Sequence, residues 1–187
     1  MVKLLEKYLE PSFYCESDSP EIRSLAKRVT KGKKGEAAAK KIFTLVRDIP
    51  YGVADVVGAK GVLKRKPSRA ICVDKANLMV ALSRASGIPA RYIALNVKLK
   101  MKKDVPVLAH MVSEVYYGNK WHMMDPSFGK SCAKIIPMSR FDKVTNWKAA
   151  GKPVVYGSLL PFIPFVTWFM YRTNPTFVML KKIFGGG

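Results

Sequence analysis

The chain has 187 residues, 49% of them hydrophobic and 25% charged, which excludes a disordered segment and leaves room for one domain with a substantial core. Lysine and arginine outnumber the acids 33 to 13, a formal charge of +20. Such a field suits nucleic acid, an anionic membrane surface or acidic protein as partner, although a lysine-rich surface that is merely solvated is the plainer explanation. No RNP-type aromatic motif, helix-turn-helix signature or arginine-rich tract singles out nucleic acid.

Leu4, Leu5, Tyr8 and Leu9 form a short periodic segment closed by Pro11. It lacks the continuous apolar run of a cleaved signal peptide. Ser17, Asp18, Ser19, Pro20 and Glu21 then combine a short polar cap, a proline suited to the first helical position and an acid in the first turn, and so predict a helix running to about Thr30. After the basic turn KGKKG, a second helix is expected from Glu36, with Ala37, Ala38, Ile42, Leu45 and Val46 at core spacing. It should end near Arg47, because the residue before Pro50 is pushed out of the helical region. Tyr51 to Arg69, with Gly52, Gly58, Gly61 and Pro67, reads as a loop. Its cations Lys60, Lys64, Arg65, Lys66 and Arg69 either dock an acidic substrate or are solvated.

Ile71 to Tyr92 is the stretch around which the rest is arranged. Leu78, Ala81, Leu82 and Ala85 define one helical face, and Cys72, Ala76, Met79 and Val80 a second, so this helix should be covered on several sides. Gly87 suits the left-handed position beyond a helix end and Pro89 cannot continue it. Cys72 therefore falls in the first turn, where free backbone N–H groups favour a thiolate. The dipole alone contributes about 1 kcal/mol, a roughly fivefold change in ionisation, so a cationic partner is required. Cys15 and Cys132, the other two cysteines, have no base motif nearby and read as packing residues. Three scattered cysteines without a C-x-x-C pair point to a reducing, cytoplasmic setting with no disulfide framework and no metal cluster.

Arg91 to Lys100 alternates as a strand, with Ile93, Leu95, Val97 and Leu99 inward and Tyr92, Ala94, Asn96 and Lys98 on a solvated face. A second strand is expected from about Leu108 to Tyr117 and a third from Lys120 to Met124, joined at Gly118-Asn119. Helices followed by an antiparallel meander mean an α+β fold. A two-residue turn would set Tyr117 opposite Lys120, Tyr116 opposite Trp121 and Val112 opposite Asp125. His110 and Asp125 then become diagonal neighbours on one face, whereas His122 falls opposite Val115 on the other. Glu114 shares the His110 face but lies further from Asp125, and reads as structural. Cys72, His110 and Asp125 thus supply a nucleophile, a base and an orienting acid.

The same residues resemble the transglutaminase-like superfamily of papain-like cysteine enzymes. The likeness lies in C-V-D-x-A-N-L from Cys72, A-L-S-R-A-S-G-I-P-A-R-Y from Ala81, H-x-x-x-E-V from His110 and W-x-x-x-D-P from Trp121, and covers roughly Pro20 to Phe128. It implies a papain-like core, a triad of Cys72, His110 and Asp125, a peptide or protein substrate, and amide acyl chemistry by hydrolysis or by transfer to an amine. No cofactor and no metal are implied. Two positions depart from the common pattern: Ile71 stands where glycine is frequent before the cysteine, and Val112 where an aromatic often follows the histidine. The Cys72 backbone N–H can serve as one oxyanion donor. The second is unassigned, with Tyr51 a guess.

Pro153 to Tyr171 carries no charge and reaches the length of a membrane span, but Gly157, Pro161 and Pro164 oppose a regular helix. The readings are a tail packed on the core or another subunit, an interfacial anchor with Trp168 and Tyr171 at headgroup depth, and a true span. Residues 1–150 are therefore expected to form the domain and 151–187 an apolar tail, packed or membrane-associated. A non-catalytic module that grips a peptide or a membrane partner is the alternative to an enzyme.

Overall fold

The computed structural model of the protein describes residues 5–52, 58–64, 69–101, 107–141 and 143–157. Helix α1 is Pro20–Thr30: the Ser19 hydroxyl accepts from the Ile22 N–H at 3.4 Å, and Lys31 closes the helix in the left-handed region at φ 50°. Helix α2 spans Gly35–Asp48 and ends where Ile49 turns extended ahead of Pro50. Both present apolar stripes to the same core, through Ile22, Leu25 and Ala26 on α1 and Ile42, Phe43 and Val46 on α2.

A short helix α3, Gly58–Lys64, lies within the stretch expected to be a loop. Two glycines in seven residues weaken its intrinsic propensity, and tertiary contacts overcome that cost. Ala59 and Val62 are fully buried, the Ala59 N–H donates to Tyr14 O at 2.9 Å, and the Lys60 N–H donates to the Glu16 carboxylate at 2.9 Å. The Lys60 ammonium also meets Glu16 at 3.2 Å, so one of the loop's cations is already engaged. Residues 53–57 and 65–68 lie outside the described region.

Helix α4, Cys72–Ala85, is the centre of the molecule and touches α1, α2, α3 and two strands. Every residue from Lys75 to Arg84 is buried, as expected for a helix apolar on more than one face. Its four buried polar side chains consequently need internal partners. Asn77 donates to Tyr14 O at 2.7 Å and accepts from the Tyr92 hydroxyl at 2.7 Å. Arg84 donates to the carbonyls of Glu10, Ala90 and Gly157.

Strands β1 (Ala90–Leu99), β2 (Leu108–Tyr117) and β3 (Lys120–Met124) form an antiparallel meander, with β4 (Trp147–Ala149) and β5 (Val154–Tyr156) both alongside β1. The β2–β3 turn has positive φ at both Gly118 (55°) and Asn119 (63°), the geometry of a type I′ turn. Tyr117 therefore pairs with Lys120, Tyr116 with Trp121 and Val115 with His122. The face of β1 expected to be solvated is divided. Asn96 and Lys98 are exposed, but Tyr92 is fully buried against α4. Its hydroxyl is satisfied by Asn77, which removes the cost of burying it. Ile93, Leu95, Val97 and Leu99 form a second core with Val112, Phe128, Ile136 and Trp147.

Strand β5 falls in the apolar tail and pairs Tyr92 with Tyr156 and Ala94 with Val154, which ties residues beyond 150 to the sheet. The rest of that tail, 158–187, lies outside the described residues. Among the described residues no helix is long and apolar enough to cross a membrane.

Candidate active site

Cys72 is the first residue of α4, and three local restraints put it there. The Ile71 N–H donates to the Asp74 carboxylate at 3.1 Å, fixing the helix start. Tyr51 bridges Ala70 in parallel, and Ala70 in turn donates to Pro50 O at 3.1 Å. Cys72 itself is 6% exposed, at the rim of the core.

His110 comes from β2, opposite Leu95. Its Nε2 donates to Asp125 Oδ2 at 3.0 Å, and the Cys72 thiol is near enough to the ring to help raise its pKa. With Nε2 committed to the carboxylate, Nδ1 is the nitrogen left for sulfur. The imidazole is held between aromatics: it stacks on Phe128 at 6.0 Å and meets Trp147 edge-on at 5.9 Å. Such packing fixes the ring plane, so both nitrogens keep their aim.

Asp125 lies one residue beyond β3 and is 3% exposed. Its carboxylate is surrounded by donors. Besides His110, Oδ2 accepts from Trp147 Nε1 at 2.7 Å and Asn146 Nδ2 at 3.1 Å, and Oδ1 accepts from the Ser127 N–H at 2.9 Å. Burial by itself would raise the carboxyl pKa, but the facing His110 charge and the Ser127 bonds outweigh it and lower the value from 3.8 to about 2. Burial would likewise discharge His110, yet the Asp125 charge, the hydrogen bond to Asp125 and the nearby Cys72 thiol prevail and raise it from 6.5 to about 10. The site therefore holds an imidazolium against a carboxylate through neutral pH.

The sign of the linkage follows from both shifts. Asp125, depressed in the folded state, adds stability above about pH 4 that is lost as pH falls toward 2. His110, raised, adds stability below 6.5 that is lost as pH climbs toward 10. Urea unfolding across pH should show the pair's stabilisation greatest between about pH 4 and 6.5. The acid limb should amount to about 2 kcal/mol and flatten in Asp125→Asn; an unchanged acid limb in that variant would contradict the assignment.

Of the residues expected at the site, Cys72, His110 and Asp125 converge, and His122 does not. The His122 ring stacks on Tyr117 at 3.7 Å and its Nε2 donates to Tyr117 O at 3.2 Å. Glu114 is bound by the Arg91 guanidinium, whose Nη2 lies at 2.6 Å. Cys15 and Cys132 are buried, and burial raises both thiol pKa values. Sequence reasoning missed Asn146, Trp147 and Phe128, and it missed Lys75. Lys75 lies one turn after Cys72, is wholly buried, and donates to the carbonyls of Arg47, Ile49 and Pro126 at 2.9, 2.5 and 3.3 Å.

A family model described as the transglutaminase-like superfamily matches residues 23–126, more than half of the chain. No curated protein sequence matches. Among solved structures the chain is similar to a candidate cysteine protease from Cytophaga hutchinsonii, at 21% identity and TM-score 0.55, with 80% of this chain and 52% of that one covered. It is also similar to the periplasmic domain of TgpA from Pseudomonas aeruginosa bound to ethylmercury, at 20% identity and TM-score 0.51, covering 67% of this chain and 49% of that one. The chain thus spans about half the length of these structures. At such identities the likeness is one of fold, an α+β arrangement in which a central helix packs on an antiparallel sheet.

Proposed function

The chain belongs to the transglutaminase-like superfamily, and from that premise we propose that it is a cysteine hydrolase of peptide or side-chain amides working through a thioester. With the proton already on His110, the Cys72 sulfur attacks the amide carbon. The tetrahedral intermediate collapses as the His110 imidazolium protonates the leaving nitrogen, leaving a thioester on Cys72 and a free amine. His110 then takes a proton from water, whose oxygen attacks the thioester carbon. A carboxylic acid departs and the sulfur is freed beside a His110 that keeps the proton. Asp125 holds the imidazole in its orientation and stabilises its cation throughout. An amine in place of water would make the same intermediate the donor in a transglutaminase reaction.

The observation that carries this reading is the commitment of one ring nitrogen: His110 binds Asp125 through Nε2, which leaves Nδ1 for the neighbouring Cys72 sulfur, a group close enough to act on the ring's pKa. Intact-mass alkylation by iodoacetamide across pH tests it. Cys72 should be modified rapidly below pH 7, about tenfold or more slowly in His110→Ala, and modification should vanish in Cys72→Ala. Cys15 and Cys132, 0% and 1% exposed, should react only after denaturation. Slow, equal modification of all three cysteines would replace the enzyme with a module that binds peptide or membrane partners without turning them over.

A further inference from the structure

We propose that Tyr51 is the second oxyanion donor, its phenol O–H closing with the Cys72 backbone N–H around the carbonyl oxygen under attack. The inference rests on the acyl-transfer reading of Cys72 and assigns a residue to the part of that reaction the triad does not perform. A tetrahedral intermediate places a negative charge on oxygen, and a second preorganised donor beside the backbone N–H stabilises it further.

Tyr51 is positioned from both ends. Its backbone runs parallel to Ala70, two residues before Cys72, and its N–H donates to the Ser131 hydroxyl at 3.2 Å. Its ring lies against Phe128 at 5.1 Å, the same ring on which His110 stacks. The side chain is thus built into the wall that aligns the histidine, and it is 9% exposed. The Cys72 N–H is near enough to its hydroxyl to hold the phenol pKa down in part against burial. A phenol oxygen beside that N–H occupies the neighbourhood a substrate carbonyl oxygen would take. When the carbonyl arrives and takes the N–H, the displaced hydroxyl is left beside it with its own proton to donate.

Chemistry favours the phenol over its neighbours. Buried, and beside the acidic groups of Cys72, Cys132 and Asp125, Tyr51 has its pKa pushed well above 10. It therefore keeps its proton at any pH where a thiolate works, as a donor must. Three neighbouring donors are committed elsewhere: Lys75 to three carbonyls, and Asn146 Nδ2 and Trp147 Nε1 to Asp125. Ser131 is held by the Tyr51 N–H and the Cys132 sulfur.

Two reagents separate the roles. p-Nitrophenyl acetate acylates a thiolate through a tetrahedral oxyanion, whereas iodoacetamide alkylates it by direct displacement of iodide and needs no oxyanion hole. Tyr51→Phe keeps the ring and removes only the hydroxyl. It should slow acylation of Cys72 about 10²-fold while leaving alkylation within about twofold of wild type. Equal acylation in the two proteins would overturn the proposal. So would faster acylation, which would make the phenol a plug, and so would parallel loss of both reactions, which would make Tyr51 a structural support. If wild-type Cys72 reacts no faster with either reagent than Cys132 does in unfolded protein, the nucleophile reading itself has failed, whatever Tyr51→Phe does.

Discussion

Asp125→Asn should lower kcat for a chromogenic ester or peptide amide by about 10³- to 10⁴-fold, with KM nearly unchanged. The size follows from what the carboxylate accepts. Oδ2 takes hydrogen bonds from His110, Trp147 and Asn146, and Oδ1 takes one from the Ser127 N–H. An amide has one acceptor and one donor end. With its oxygen toward the three donors, its NH2 faces the Ser127 N–H; flipped, its NH2 faces all three. Either orientation sets donors against donors, and both remove the charge that holds the His110 proton. Asp125 acts through the His110 ring that its Oδ2 holds, hence the small effect expected on KM. Trp147→Phe provides the graded comparison, since it deletes one of four donors and keeps most of the ring beside His110; a loss closer to tenfold is expected there. If Asp125→Asn retained more than a tenth of wild-type kcat, the carboxylate would be a turn residue, bonded to Ser127 for structure alone.

The meeting of His110 with Asp125 was legible because each step was local. Gly118-Asn119 dictates a type I′ turn, the turn dictates the register, and the two-residue period carries that register outward to position 110. The start of α4 was legible for a similar reason, from a helical pattern with its stop at Gly87. What surrounds Asp125 was not. Trp147 and Asn146 arrive through the pairing of Leu99 with Trp147, across a stretch with no periodicity of its own to announce a strand. Helix α3 was hidden by Gly58 and Gly61, which argue locally for a loop and are overruled by the burial of Ala59 and Val62. Lys75 was within reach: a helix expected to be covered on several sides must satisfy its polar residues internally, and Lys75 lies a turn from Cys72.

Lys75→Met should destabilise the protein by about 3 kcal/mol in urea unfolding at pH 7, net of two opposing effects. Methionine fills the same channel without a donor, so the carbonyls of Arg47, Ile49 and Pro126 lose their shared partner. At roughly 1–3 kcal/mol for each buried acceptor left unpaired, the loss is several kcal/mol. Against it stands relief from burying an ammonium. Burial lowers the Lys75 pKa from 10.5 to about 8, only partly offset by nearby Cys132 and Asp125, which places that relief at about 3 kcal/mol. The carbonyls outweigh it because three backbone segments share one donor. The pH dependence provides a second check. With its folded pKa depressed, Lys75 penalises the wild type fully below pH 8, and the penalty fades as pH rises toward 10.5. The stability gap between wild type and Lys75→Met should therefore widen over that interval. Ile49 and Pro126 adjoin the segments that carry Tyr51 and Asp125, so releasing their carbonyls should also slow iodoacetamide modification of Cys72. A variant within about 1 kcal/mol of wild type, with Cys72 as reactive as before, would mean that water or main-chain rearrangement satisfies these carbonyls and that the lysine does not tie the two walls of the site together.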